Sequence, residues 1–151
     1  MHELEALEDA ILTALSGLTG VRTLEAYAGQ IDDADDLARL TARFPCVYVL
    51  ADGLASEVNN RVDMLALSVS LLVGDKHARG ASGASRGDAH SPGIYAILEE
   101  IKTKLHRQSV TVNGRAVPLA RKSEEALAVS ATGISLYLAR YEAEMKVPFN
   151  P

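Results

Sequence analysis

The fold is decided most clearly by residues 91–119, SPGIYAILEEIKTKLHRQSVTVNGRAVPL. A serine followed by a proline is a typical helix start, because serine caps a free backbone N–H and proline fits the first helical position. Beyond them, apolar residues follow at helical spacing, at Ile94, Ile97, Leu98, Ile101 and Leu105. We therefore predict a helix that begins after Ser91-Pro92 and buries one face.

The second half of this stretch has the pattern of a β-hairpin. Val110–Val112 and Ala116–Leu119 flank Asn113-Gly114, and Asn-Gly between two apolar runs is the strongest short hairpin signal, because both residues tolerate positive φ angles. Pro118 has no backbone N–H, so it must lie at an unpaired edge or beyond the ladder. Residues 91–119 therefore predict a helix followed by a β-hairpin.

Two strands are predicted upstream. Cys46–Ala51 is rich in valine and ends at Asp52-Gly53, which reads as a turn. Arg61–Val73 alternates apolar and other residues over thirteen positions, which is long for a strand. Its second face is only partly apolar, at Met64, Ala66 and Leu72. We expect an antiparallel pair that extends beyond the domain and meets another subunit.

The N-terminal third predicts helix, strand and helix. Leucine and isoleucine recur at helical spacing from Leu4 to Leu18, and Val21–Ala28 reads as a short strand. The acidic run at residues 32–36 then leads into a short second helix that Pro45 ends. The acidic run lacks the glycine and the final glutamate of a calcium-binding EF-hand loop, so a solvated helix start is the better interpretation.

At the C-terminal end, Ala126–Ser130 and Ile134–Val147 are separated by Ala131-Thr132-Gly133. Alternation in the second segment favours a strand, although its alanine, glutamate and lysine content leaves a helix open as the alternative. The whole pattern predicts a single α+β domain over residues 1–151, with a mainly antiparallel sheet and helices packed on one face.

Composition excludes several classes of protein. The chain has 151 residues, of which 48% are hydrophobic and 23% charged, and a formal net charge of −5. The acidic balance disfavours general nucleic-acid binding. A lone cysteine, Cys46, closes no internal disulfide and builds no multi-thiolate zinc site, so we interpret it as a buried core residue. The acidic N-terminus is unlike a signal peptide, so we expect a cytoplasmic product.

Residues 74–91, GDKHARGASGASRGDAHS, predict a long flexible loop. The segment contains four glycines and no apolar residue larger than alanine, so it cannot bury enough surface to order itself. Loops of this length are functional or disordered, and we expect this one to touch a protein partner. Its charged residues are the candidate contacts: Asp75, Lys76, Arg79, Arg86 and Asp88.

The sequence contains no recognisable set of catalytic groups. Phosphate-binding and dinucleotide-binding glycine motifs are missing, and no serine lies in a nucleophile elbow. His77 and His90 are thirteen residues apart in the predicted loop, with few carboxylates near them to complete a metal site. We predict a protein that is not an enzyme and that uses no metal and no cofactor. Tyr95, Tyr137, Tyr141 and His106 are better interpreted as core or interface residues than as catalysts.

Several stretches together resemble the tail-terminator proteins of Mu-like bacteriophages, which are similar in fold to lambda-type terminators. They are the N-terminal helix through Leu18, the strand FPCVYVLADG at residues 44–53, the long Gly/Ser loop, and GIYAILEEIKTKLHRQSVTVNGRAVPLARKSEEAL at residues 93–127. In the last stretch, a glycine-led helix, a hairpin and the step Val117-Pro118-Leu119 occur together. The match covers most of the chain and contains no catalytic motif.

This resemblance implies a small subunit of a homohexameric ring. Such a ring docks on the tail tube protein, ends tube polymerisation and offers a surface to the head-completion or connector protein. The protein would be in the host cytoplasm during assembly and later in the virion tail or a tail-derived particle, with DNA passing through the ring. Another neck or tail-completion protein and a non-catalytic oligomeric binding domain stay open as alternatives.

Overall fold

A computed structural model describes residues 1–29, 43–76, 93–129 and 133–149 of the chain. The short helix expected before Pro45 lies outside these residues. In the described part, two helices and six strands follow one another in this order: α1 (Glu3–Ala14), β1 (Thr23–Ala26), β2 (Cys46–Asn59), β3 (Val62–Lys76), α2 (Gly93–Leu105), β4 (Ser109–Val112), β5 (Arg115–Val129) and β6 (Ile134–Pro148).

The six strands form one mixed sheet in the order β1-β2-β3-β6-β5-β4. Strand β1 runs parallel to β2, and the other neighbouring pairs are antiparallel. The α+β class is therefore confirmed, and the sheet is mainly antiparallel as predicted, although the β1–β2 pair makes it a mixed sheet. Parallel neighbours need a longer connection than a hairpin turn, and 19 residues separate Ala26 from Cys46.

The sheet curls around the helices. Helix α1 packs against β1 and β2 at one edge and against β4 at the other, while α2 packs against β3, β5 and β6. In a flat sheet β2 and β4 would lie about 19 Å apart, at about 4.8 Å per strand. One helix can contact both only if the sheet bends towards it.

Both helices bury the faces that the spacing predicts. Every apolar position expected on α2 is buried. On α1, Leu7 and Ile11 are fully buried, as is Leu15, which follows the helix. These side chains join the inward-facing residues of the strands in one core cluster. The helix start at Ser91-Pro92 falls outside the described residues, so the cap itself stays a prediction.

The Asp52-Gly53 step is a β-bulge, and the interpretation as the end of a strand was wrong. The register of β2 against β3 shifts between Ala51 and Gly53, so Asp52 is an extra residue. Its Oδ2 accepts a hydrogen bond of 2.6 Å from the Ser70 hydroxyl. A Cβ atom at Gly53 would collide with Ser68 Oγ. Strand β2 consequently continues to Asn59.

The C-terminal half is a hairpin and two long strands. Asn113 and Gly114 have φ angles of 49° and 78°, which confirms the predicted tight turn. Strand β5 is continuous over the range in which two short strands were expected, because bulges at Lys122 and Leu127 absorb the breaks in alternation. Ile134–Pro148 forms strand β6, so the predicted strand is confirmed and the helical alternative is wrong. Pro118 lies just before β5 begins to pair with β6, at Leu119.

The single cysteine lies in a small second cluster on the face of the sheet opposite the main core. Cys46 is fully buried beside Phe44 and Tyr48, and it alternates with Val47 of the main core. Burial raises the pKa of the thiol to about 12. Since the thiolate is the nucleophile, the folded protein has almost no reactive sulfur near neutral pH.

We therefore expect Cys46 to resist iodoacetamide at pH 8 in the folded protein and to be alkylated fully in 6 M guanidinium chloride. Intact mass spectrometry follows the reaction. Fast, stoichiometric labelling without denaturant would contradict the buried placement. A Thr13→Cys variant is the matched control, because residue 13 is exposed on α1 and its thiol should react within minutes.

Candidate assembly surface

The long strands form a projection that we call the three-stranded arm, made of Leu54–Asn59, Val62–Leu67 and Glu144–Pro148. Strand β1 pairs only with Cys46–Val49, and the pairing of β5 with β6 ends at Ala143. Within the described ranges, both outer strands of the arm therefore lack a neighbour on one side. Unpaired backbone N–H and C=O groups at such edges are ready to pair with another chain.

The β2 edge of the arm carries exposed apolar side chains. Val58 is 76% exposed and Leu54 is 36% exposed, and Glu57 between them is also exposed. A monomeric protein usually protects an edge strand with lysine, proline or a covering loop. Exposed aliphatic groups along a long open edge are instead typical of a surface that a partner covers.

The β6 edge of the arm lies in a groove. Strand β5 leaves β6 at Leu119 to pair with β4, whereas β6 continues alongside β3 to Pro148. The two strands diverge, and between them lies a groove of about 540 Å³, here named the β5–β6 groove. Its lining residues are Met64, Arg115, Ala116, Pro118, Glu144, Met145 and Lys146.

Charges on the two edges are opposite and available. Glu57 and Lys146 are both exposed, and neither makes an ion pair or side-chain hydrogen bond with any residue that the structure describes. Two nearby pairs of surface charges are already matched: Arg121 lies 2.7 Å from Glu124, and Lys122 lies 3.6 Å from Glu142. The arm therefore carries the acidic Glu57 on its β2 edge and the basic Lys146 on its β6 edge, where Glu144 is also exposed.

Only part of the predicted partner-binding loop falls on described residues. Strand β3 runs to Lys76, so a loop can begin only after that residue and not at Gly74. Asp75 is 2% exposed, and its Oδ1 accepts a hydrogen bond of 2.8 Å from the backbone N–H of Lys76. Lys76 is exposed. Arg79, Arg86 and Asp88 lie outside the described residues, so their role stays a prediction.

The loop-like composition of Gly74-Asp75-Lys76 misleads for a physical reason. A Cβ atom at Gly74 would lie within 3.0 Å of the Phe44 ring, the Cys46 sulfur and a Leu136 methyl group. The glycine therefore permits close packing between the neighbouring strands, and it does not mark a turn. Composition alone does not separate these two uses of glycine.

His77 and His90 lie outside the described residues, and the other candidate chemical groups make contacts within the fold. His106 Nδ1 accepts a hydrogen bond of 3.0 Å from the backbone N–H of Arg121, and the Tyr95 and Tyr137 hydroxyls are 3.2 Å apart. Tyr141 is fully buried in the core, and burial raises its pKa. No three His, Cys, Asp or Glu side chains converge on a possible metal site in the described part of the chain. None of its helices has the length and hydrophobicity to cross a membrane.

Comparisons with known proteins give a family for the chain and a solved structure with a similar fold. A family model described as "Bacteriophage Mu, Gp37" matches residues 3–150. Among solved structures, the chain is similar to one from the "Virion of native gene transfer agent (GTA) particle", with a TM-score of 0.66 and 14% sequence identity. The match covers 96% of this chain and 98% of the other, and at this identity it shows a shared fold. No curated protein matches the chain.

Proposed function

This chain belongs to the family described as Bacteriophage Mu, Gp37, and we propose that it is a structural subunit of a ring that caps the tail tube. The ring ends tube polymerisation and provides the surface for head joining. One observation carries the proposal: the family match spans nearly the whole chain. The similar fold of a chain in a virion particle supports it, because that match also extends over almost the full length of both chains.

Features of the described surface support a role in assembly. The three-stranded arm offers two open edges through which neighbouring copies can meet. Subunits that contact one another head to tail form a ring when the rotation between them divides a full turn evenly. Six copies at −5 each would have a formal charge of −30. A lumen in such an acidic ring would let DNA pass without holding it.

Deleting the gene tests the proposal against its alternatives. A tail terminator is needed to stop the tube, so its loss should produce tubes of widely varying length that carry no heads. Loss of another neck protein should leave tails of uniform length that fail to join heads. Electron microscopy of lysates, with the gene supplied from a plasmid as control, measures both outcomes. Normal lengths and normal head joining would contradict the proposal.

The loop predicted over residues 74–91 supplies a separate prediction about docking. We propose that Arg79 and Arg86 meet carboxylates on the neighbouring tube or head protein. A surface ion pair is worth at most about 1 kcal/mol, but six copies that engage together multiply that energy. Changing both residues to glutamate should leave the melting temperature nearly unchanged and give long or uncapped tails.

The control for this double variant is a pair of charge reversals on the helical side of the fold, Lys104→Glu with Arg107→Glu. It changes the net charge equally and should cap tails normally. Tails of normal length and normal head joining in the Arg79→Glu, Arg86→Glu variant would show that the loop is a solvated linker.

A further inference from the structure

We propose that the three-stranded arm joins neighbouring copies of this chain by strand pairing. In this contact, Ala55–Asn59 on the β2 edge of one copy enter the β5–β6 groove of the next copy and pair with Glu144–Pro148. The inference rests on the proposed function in one respect, which is that a ring supplies the neighbouring copies. It adds the surface and the strand register through which they meet.

The directions of the strands agree with a rotational contact. Strands β2 and β6 are both antiparallel to β3, so they run parallel to each other. Rotation about a ring axis preserves the direction of a strand that runs along that axis, so in such an arrangement β6 of one copy meets β2 of the next in parallel. A twofold dimer would instead pair β2 with β2 in antiparallel orientation. The two edges of the arm differ from each other, as a head-to-tail contact requires.

The strand register within the arm places an acidic and a basic residue in one cross-strand row, and two valines in the next row. Glu57 pairs with Met64, which pairs with Lys146, and Val58 pairs with Asp63, which pairs with Val147. If the arm runs along the ring axis, these rows continue into the next copy. Lys146 then lies beside the neighbour's Glu57, and Val147 lies beside the neighbour's Val58. A charge pair and an apolar pair form at each junction.

The groove and the open edges favour a second copy as the occupant. The β5–β6 groove, of about 540 Å³, lies beside the free side of β6, where β5 no longer pairs with it. Each copy carries one edge of each type, so a closed ring pairs every edge and leaves none open. Closing the ring in this way covers the β2 edge, where the Val58 side chain is 76% exposed in the single chain. An open edge of this kind would otherwise be prone to aggregation. The acid on one edge and the base on the other also match without any other protein.

A charge swap tests the register. Glu57→Lys and Lys146→Glu, introduced singly, each put like charges together at every junction and should weaken assembly about tenfold or more. The double variant restores opposite charges and should assemble within about threefold of the unchanged protein. Sedimentation of the full chain over a concentration series measures this, with Lys104→Glu on α2 as the control. Singles that assemble normally, or a double variant that is no better than either single, would overturn the proposal.

Cross-linking tests the partner strand. The variant with Val58→Cys and Val147→Cys should form a ladder of linked copies with a short bis-maleimide, both in free rings and in purified tails, because Cys46 is buried. Val58→Cys alone should stay monomeric on a denaturing gel. Dimers from Val58→Cys alone would instead support the antiparallel twofold contact, and linkage to a different protein would identify a foreign strand. Either result overturns the proposal.

These outcomes separate the contact from the function. A six-copy ring on normal tails in which the double-cysteine variant gives no ladder would overturn strand pairing and leave the capping role intact. A full ladder in a protein whose deletion leaves tails normal would overturn the capping role and leave strand pairing intact.

Discussion

Replacing Ile101 with alanine is expected to lower the free energy of unfolding by about 2–5 kcal/mol, a large part of the stability of a domain of this size. Ile101 is fully buried on α2, which packs against the central strands β3 and β6 and against β5. Removing its branched side chain leaves a cavity between the helix and the sheet, which the surrounding side chains fill only in part. Equilibrium urea denaturation followed by circular dichroism measures the change.

Thr103→Ala is the matched control on the same helix. Thr103 is exposed, and its hydroxyl donates only to the backbone oxygen of Glu99 within the helix. We expect a change within about 0.5 kcal/mol. Equal effects of the two substitutions would mean that α2 does not bury the face that contains Ile101, which would contradict the packing of this helix on the sheet.

The second large effect concerns assembly: we expect six copies in one ring of about 97 kDa, six times the chain mass of 16.1 kDa. The expectation follows from the proposed fit to the end of a sixfold tail tube. Native mass spectrometry at high protein concentration, or on rings released from tails, measures the mass directly. A closed dimer as the sole assembly, with tube ends present, would contradict the ring.

The elements that sequence predicts best are those in which local and tertiary signals agree. Helix α2 has an unbroken apolar face, and every predicted residue of that face is buried. The turn at Asn113-Gly114 requires positive φ angles, which few other residue pairs adopt easily. In both cases the residue types leave few alternatives.

The errors arise where one residue type serves two structural purposes. Asp52-Gly53 reads as a turn in isolation, but the pairing of β2 with the long β3 continues past it through a bulge. Gly74 reads as the start of a loop, but it allows three side chains to pack against the backbone. Pairing with distant strands determines the backbone conformation at both positions. The sequence within a few residues of either glycine does not show that pairing.

The candidate surface was predictable in part for the same reasons. The partly apolar second face of β3 indicated a subunit contact, and Met64 of that face does line the β5–β6 groove. The open edges were not predictable, because the missed extension of β2 hid the length of the arm. The divergence of β5 from β6 also depends on which strand each one pairs with, and that is a property of the whole sheet.

Cryo-electron microscopy of the head-proximal end of purified tails is the decisive test of the capping role. We expect one ring of this fold at that end of each tube, with β2 of each copy against β6 of the next, and no ring on tubes made without the protein. Tails that end normally without this chain at that end, or that carry it along the tube wall, would show that it does not cap the tube.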